Sequence, residues 1–190
     1  CKEVAKKAIS EWFAYQNERE LEFALRAVKK FKPKIILEIG IAYGGSLACW
    51  AKVAKPDLAI GIDPLNIPRT EEQDISLNNL IKEYNLKIIQ KVSSASETHE
   101  ELKEILNGRK VDFLFIDAEH RYDDVCADWR NYLQYMNNPS IVGFHDIFYS
   151  DQIFDSGSQV SFLWNRLKQK YPYDEVHFHS TMGIGLLYLQ

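Results

Sequence analysis

The sequence predicts an α/β fold: a doubly wound, mostly parallel seven-stranded sheet that ends in an antiparallel hairpin and is preceded by helices. Three observations predict it. Five short apolar runs alternate with helical patterns between residues 34 and 146. In places these runs are apolar on both faces, as strands covered by helices on either side must be. Two more strand-like runs close the chain with only "STM", ahead of Gly183, between them. No helix fits in that gap, so they must pair antiparallel.

Residues 1–32 are expected to form N-terminal helices, and 33–190 the core of a single domain. Val4, Ala8, Ile9, Trp12 and Phe13 make one helical stripe; Leu21, Ala24, Leu25 and Val28 make another. Asn17, with Glu20 three residues later, signals a second helix start between them. Pro33 ends the helical phase. The strands are then "KIILEIG" (34–40), "LAIGID" (58–63), "LKIIQKV" (86–92), "VDFLFID" (111–117) and "SIVGFHD" (140–146). Helices are expected over 45–55, 73–84, 96–107 and 122–136, the last with Val125, Trp129, Leu133 and Met136 on one face. The hairpin is "DEVHFH" (174–179) with "GIGLLYLQ" (183–190).

The net charge of −4 argues against a nucleic-acid backbone or an anionic membrane as main partner. No apolar run approaches membrane-spanning length. Cys1, Cys49 and Cys126 are odd in number, far apart and fit no metal spacing, so reduced thiols in the cytoplasm are the simplest expectation. A chain that opens on Cys1 is expected to have been trimmed, cleaved or taken from something longer.

In an open parallel sheet the ligand lies beyond the carboxyl ends of the strands. The first strand ends in Glu38-Ile39-Gly40-Ile41-Ala42-Tyr43-Gly44-Gly45-Ser46. Glycines there allow a tight turn, and the free N–H groups of the next helix favour a carboxylate or phosphate. The second strand ends in Asp63, 23 residues after Gly40, where an acid can hold both hydroxyls of a ribose. The third ends near Ser93-Ser94, the fourth in Asp117 and the fifth in His145-Asp146. A tight turn alone would explain Gly40 and Gly44; Asp63 adds a nucleoside-type ligand.

These residues together resemble a known family. "EIGxxxG" (38–44), "GIDP" (61–64), "FIDAxH" (115–120), "FHD" (144–146) and the closing hairpin resemble class I S-adenosylmethionine-dependent methyltransferases. They are most similar to small metal-dependent O-methyltransferases, of the catechol type and of the kinds that modify antibiotic sugars or tailor cephalosporins. The resemblance covers 33–190 and implies a Rossmann-like methyltransferase fold. It implies that Glu38, Gly40 and Gly44 line the methionine end of the cofactor, with Tyr43 also binding it. Asp63 would hold the ribose and Ser94 would lie near the adenine. Asp117, His145 and Asp146 would form a site for Mg²⁺ or another divalent cation, and His120 would be the general base. The sequence departs from the family pattern at Ala42, where many members have glycine, and at His145, where several place a carboxylate.

The implied activity is methyl transfer to a hydroxyl of a small molecule or carbohydrate. A bound cation lowers the pKa of a coordinated hydroxyl, and a neutral histidine can take its proton. Simpler readings stand beside these. Asp117 could cap the helix near Tyr122, although Asp123 and Asp124 are better placed for it. His120 could be a solvated loop residue, Arg121 a surface residue, and His145 a support for Asp146 rather than a ligand. His177 and His179 read as sheet-face residues, and Trp129, Trp164 and Cys49 as core. Phe148, Tyr149 and Phe154, in the aperiodic segment 147–159, could wall the acceptor; 64–74 is a second candidate lid. The alternatives are a nicotinamide-dependent oxidoreductase and a non-catalytic cofactor-binding module.

Overall fold

A computed structural model describes residues 1–148, 158–178 and 182–190. Its first two helices, α1 (Lys2–Glu11) and α2 (Glu18–Phe31), are separate because the chain leaves the helix at Trp12 and restarts at Asn17. The Asn17 side chain caps α2 by accepting from the Arg19 N–H at 2.9 Å.

The strands are β1 (Ile35–Ile39), β2 (Leu58–Ile62), β3 (Lys87–Ile89), β4 (Val111–Ile116), β5 (Met136–His145), β6 (Tyr173–Val176) and β7 (Ile184–Leu189). They form one sheet in the order β3-β2-β1-β4-β5-β7-β6. The first five pair in parallel; β7 is antiparallel to both β5 and β6. The helices α3 (Gly45–Ala54), α4 (Glu71–Tyr84), α5 (Ser96–Leu106), α6 (Tyr122–Tyr132) and α7 (Val160–Leu167) complete the fold. This is the predicted doubly wound sheet with its closing hairpin.

The alternation of side chains along β1 divides the core. Ile35, Leu37 and Ile39 join Leu102 of α5, Trp129 of α6 and Trp164 of α7 on one face. Ile36 joins Leu25 of α2, Trp50 of α3, Phe113 and Phe115 on the other. Cys49, Trp129 and Trp164 are core residues, as expected, and the three cysteines are free. No helix among the described residues is long and apolar enough to cross a membrane.

Several boundaries differ from expectation. Helix α4 starts at Glu71, two residues early, because Thr70 and Gln73 form a capping box: Thr70 N–H donates to Gln73 Oε1 at 2.8 Å and Gln73 N–H to Thr70 Oγ1 at 3.3 Å. Helix α6 stops at Tyr132 and gives way to a 3₁₀ turn over Leu133–Tyr135. Met136 therefore begins β5 opposite Val111 instead of continuing a helical stripe. Strand β3 is only three residues long, and short strands suit an edge. Helix α7 follows the stripe of Trp164, which the sequence pattern had not bounded.

Register sets the site. Ile39 lies opposite Ile62 and Ile116, and Ile116 opposite Phe144. The carboxyl ends of β2, β1, β4 and β5 thus open side by side.

Candidate active site

Beyond β1 the chain turns at Gly40, with φ +82°. A Cβ there would stand 2.2 Å from the Asp117 carbonyl oxygen, so only glycine lets β1 and β4 splay so closely. Ala42 also has positive φ, +45°, a conformation that costs energy for a residue with a side chain. Asp63 holds this loop. Its Oδ2 accepts from the N–H groups of Ile41 and Ala42, each at 2.9 Å, and its Oδ1 from Leu65 at 2.6 Å. A carboxylate offers about four acceptor positions, so Asp63 keeps some capacity beyond these three bonds.

Glu38, the next-to-last residue of β1, is fully buried. Burial pushes its pKa well up, against the hydrogen bond donated by Ser46, and the Asp117 charge adds to the rise. Its Oε2 has no hydrogen-bond partner among the described residues. Tyr43 is buried under Phe13 and Tyr15, and its hydroxyl accepts from the Tyr15 hydroxyl at 3.0 Å.

The ends of β4 and β5 form a linked chain of acids and imidazoles. His145 Nδ1 lies 3.2 Å from Asp117 Oδ1 and 3.0 Å from Asp146 Oδ1, bridging the two carboxylates. His120 Nε2 lies 2.6 Å from Asp146 Oδ2. At the other end, Gln16 Nε2 donates to Asp117 Oδ2 at 2.5 Å. The His120 side chain is 56% exposed and that of Asp146 only 8%, which puts the imidazole at the rim and the acid at the floor. The Asp146 backbone is left-handed, φ +59°, which turns the chain sharply as β5 ends.

The electrostatics follow from these contacts. The hydrogen bond to Asp146 raises His120, against the effect of burial. Burial would lower His145, but Asp117 and Asp146 outweigh it and hold the imidazole well above its ordinary value. Burial would raise Asp146; the hydrogen bonds from His120 and His145 reverse this and hold it below the usual carboxylate range.

Asp117, His120, His145 and Asp146 line one cleft of about 250 Å³ with Gly40, Ser46 and the segment Phe13–Gln16. Asp117, His120 and Asp146 each offer it a ligand atom within 4.8 Å of the others. Asp117 does not cap α6: the Tyr122 N–H is taken by Gln159 Oε1 at 2.8 Å, and Gln159 N–H donates to the His120 carbonyl at 2.7 Å. Arg121 is an exposed residue 3.8 Å from Asp124, as expected.

Other expected residues lie elsewhere. Ser94 lines a second cleft with His99, Lys103 and Tyr135. Phe148 stacks on His177 at 4.3 Å and lines a third, beside α7, rather than the cleft at Gly40. His177 follows β6 and is not on the sheet. Residues 71–74 are the first turn of α4. Tyr149, Phe154 and His179 lie outside the described residues. Sequence reasoning missed Gln16 and Gln159. Neither sits in a motif; the only available sign of Gln16 was a polar residue beside the interruption between two helices.

Residues 37–147 match the family described as Methyltransferase domain. An uncharacterized protein of Sinorhizobium fredii is 26% identical over 171 residues, covering 87% of this chain and 18% of that protein. An uncharacterized protein of Acanthamoeba polyphaga mimivirus is 34% identical over 113 residues, covering 58% of this chain and 50% of that protein. The chain thus spans half or less of the length of these curated relatives. The fold is that of the O-methyltransferase from Bacillus cereus solved in complex with SAH: TM-score 0.66, 14% identity, covering 100% of this chain and 90% of that one.

Proposed function

Because the chain belongs to the Methyltransferase domain family, we propose that it is an S-adenosylmethionine-dependent O-methyltransferase acting on a hydroxyl of a small molecule or carbohydrate. One observation carries this reading. The cleft at Gly40 is walled by Asp117 and Asp146 with His120 and His145, and among the described residues no Lys or Arg lines it. The two carboxylates repel the pyrophosphate of a nicotinamide cofactor and, although His145 between them offsets part of their charge, leave the cleft suited to a sulfonium or an ammonium.

When bound, S-adenosylmethionine would supply the methyl group, and the acceptor hydroxyl that takes it would have to give up its proton. His120 is placed to take it. With its Nε2–H donated to Asp146, Nδ1 has no partner among the described residues and can accept the proton, and the Asp146 carboxylate stabilises the imidazolium that forms. Asp63 is suited to hold the ribose while it ties the loop, with Glu38, Gly40, Tyr43 and Gly44 shaping the other end.

The donor set also fits a divalent cation. Asp117 and Asp146 would hold it; their oxygens suit Mg²⁺, and the imidazole of His120 within reach admits Mn²⁺ or Zn²⁺. The ion would lower the pKa of a coordinated hydroxyl. His145, with Nδ1 between both carboxylates, supports them rather than joining the ligands.

Calorimetry with S-adenosylhomocysteine and NADH tests the reading. Binding of the first, lost in Asp63→Ala, is expected. Binding of NADH alone would replace it with the oxidoreductase.

A further inference from the structure

The segment joining α1 to α2 lies outside the residues that match the family, yet it roofs the cleft. Three anchors hold it there. A Cβ on Gly45, the first residue of α3, would meet the Trp12 carbonyl oxygen at 2.5 Å and the Ala14 nitrogen at 2.9 Å, so the segment rests directly on that helix start. The Tyr15 hydroxyl donates to Tyr43, and Asn17 caps α2.

Between these anchors Gln16 turns inward and is 6% exposed. The orientation of its amide is fixed by chemistry. A carboxylate only accepts hydrogen bonds, so the edge facing Asp117 Oδ2 at 2.5 Å must be the NH₂. Its Oε1 therefore faces away from Asp117. That oxygen is buried and has no hydrogen-bond partner among the described residues. A buried acceptor without a donor is unfavourable, and Gln16 lines the cleft, so a bound molecule can supply what is missing.

We infer that Gln16 is a specificity-determining residue that reads the aminoacyl arm of the sulfonium cofactor, its Oε1 accepting from the α-ammonium while its Nε2 keeps Asp117 in place. This rests on the function proposed above. Three features choose the ammonium. Oε1 can only accept, which excludes the arm's carboxylate. The adjoining Asp117 favours a cation. The acceptor hydroxyl belongs at His120, and Gln16 and His120 stand at opposite ends of the chain Gln16–Asp117–His145–Asp146–His120.

The test is a pair of titrations on the full chain and on Gln16→Met, which keeps similar volume and removes both amide groups. One ligand is S-adenosylhomocysteine. The other is 5′-methylthioadenosine, which keeps the nucleoside and thioether but lacks the aminoacyl arm. Gln16→Met is expected to bind the first about ten-fold more weakly and the second within about two-fold of the parent, which also shows that the variant is folded. Equal losses for both ligands, or no loss for either, would overturn the inference. A measurement on the unmutated chain stands independently of that variant's folding. S-adenosylhomocysteine with its α-amino group replaced by hydrogen should bind about ten-fold or more weakly than the intact compound, and unchanged affinity would equally overturn the inference. If the unmutated chain binds no S-adenosylhomocysteine at all, the cofactor reading itself falls, a result distinct from either of these.

Discussion

His120 and Asp146 come from different strand ends, yet Nε2 of one meets Oδ2 of the other at 2.6 Å. The other imidazole nitrogen, at the rim of the cleft, has no partner among the described residues. His120→Ala is expected to lower kcat by about 10²–10⁴-fold and to leave S-adenosylhomocysteine affinity nearly unchanged. The assay is cofactor-product release with any hydroxyl acceptor that the parent turns over. A parallel loss of cofactor affinity would make His120 a binding residue instead.

The bridge made by His145 between Asp117 and Asp146 predicts a separate effect on metal. Electron paramagnetic resonance should show Mn²⁺ bound by the parent and lost in Asp146→Asn. His145→Gln should weaken it about 10–100-fold, as expected for a residue that orients ligands. Chelator should abolish turnover and added Mg²⁺ or Mn²⁺ restore it. Undiminished turnover in chelator would remove the metal from the proposal.

Gly40 tests the loop. Gly40→Ala must hold a left-handed backbone, which costs about 1–2 kcal/mol, and must also push back the Asp117 carbonyl that lies 2.2 Å from the new methyl group. Lower thermal stability and lost S-adenosylhomocysteine binding are both expected. Calorimetry that finds the cofactor bound as before would show that the loop can move away.

Asp128, on α6, gives a pH dependence remote from the cleft. Burial raises its pKa to about 6, although the Ser93 hydroxyl donates to it at 2.7 Å. The native state therefore holds a proton that the unfolded chain has already released between about pH 4 and 6, and stability falls as pH rises through that window. The loss is at most roughly 3 kcal/mol, about two pKa units. Asp128→Asn can still accept from Ser93 and should be the more stable protein at pH 8 but not at pH 4. Urea unfolding at both values measures this; equal differences at the two pH values would show that Asp128 is not the group responsible.

The parts of the fold legible in the sequence were those fixed by local periodicity. Ile35 to Ile39 and Val111 to Ile116 read as strands because, apart from Glu38 and Asp112, every position is apolar and both faces are covered. Met136 was misread because its spacing from Val125, Trp129 and Leu133 suits a helix, while pairing with Val111 across the sheet decided otherwise. The acidic end of the cleft was legible because strand termini can be located from the runs that precede them, so Asp117 and Asp146 could be set side by side. Gln16 could not be found that way. It reaches Asp117 across 101 residues of sequence, from a segment whose own pattern says only that a helix is interrupted.

Strand β7 follows β6 in the chain but lies between β6 and β5 in the sheet. A ribosome thus releases β5 and β6 before the strand that joins them. Until β7 emerges, the side of β5 that it will occupy is open and β6 has no place in the sheet. Strand β7 pairs Ile184 with His145, the residue that bridges the two acids. The nascent chain therefore acquires the His145 bridge late, through the same pairing that brings β6 into the sheet, and a truncated copy lacking β7 would carry the Gly40 loop without a fixed His145.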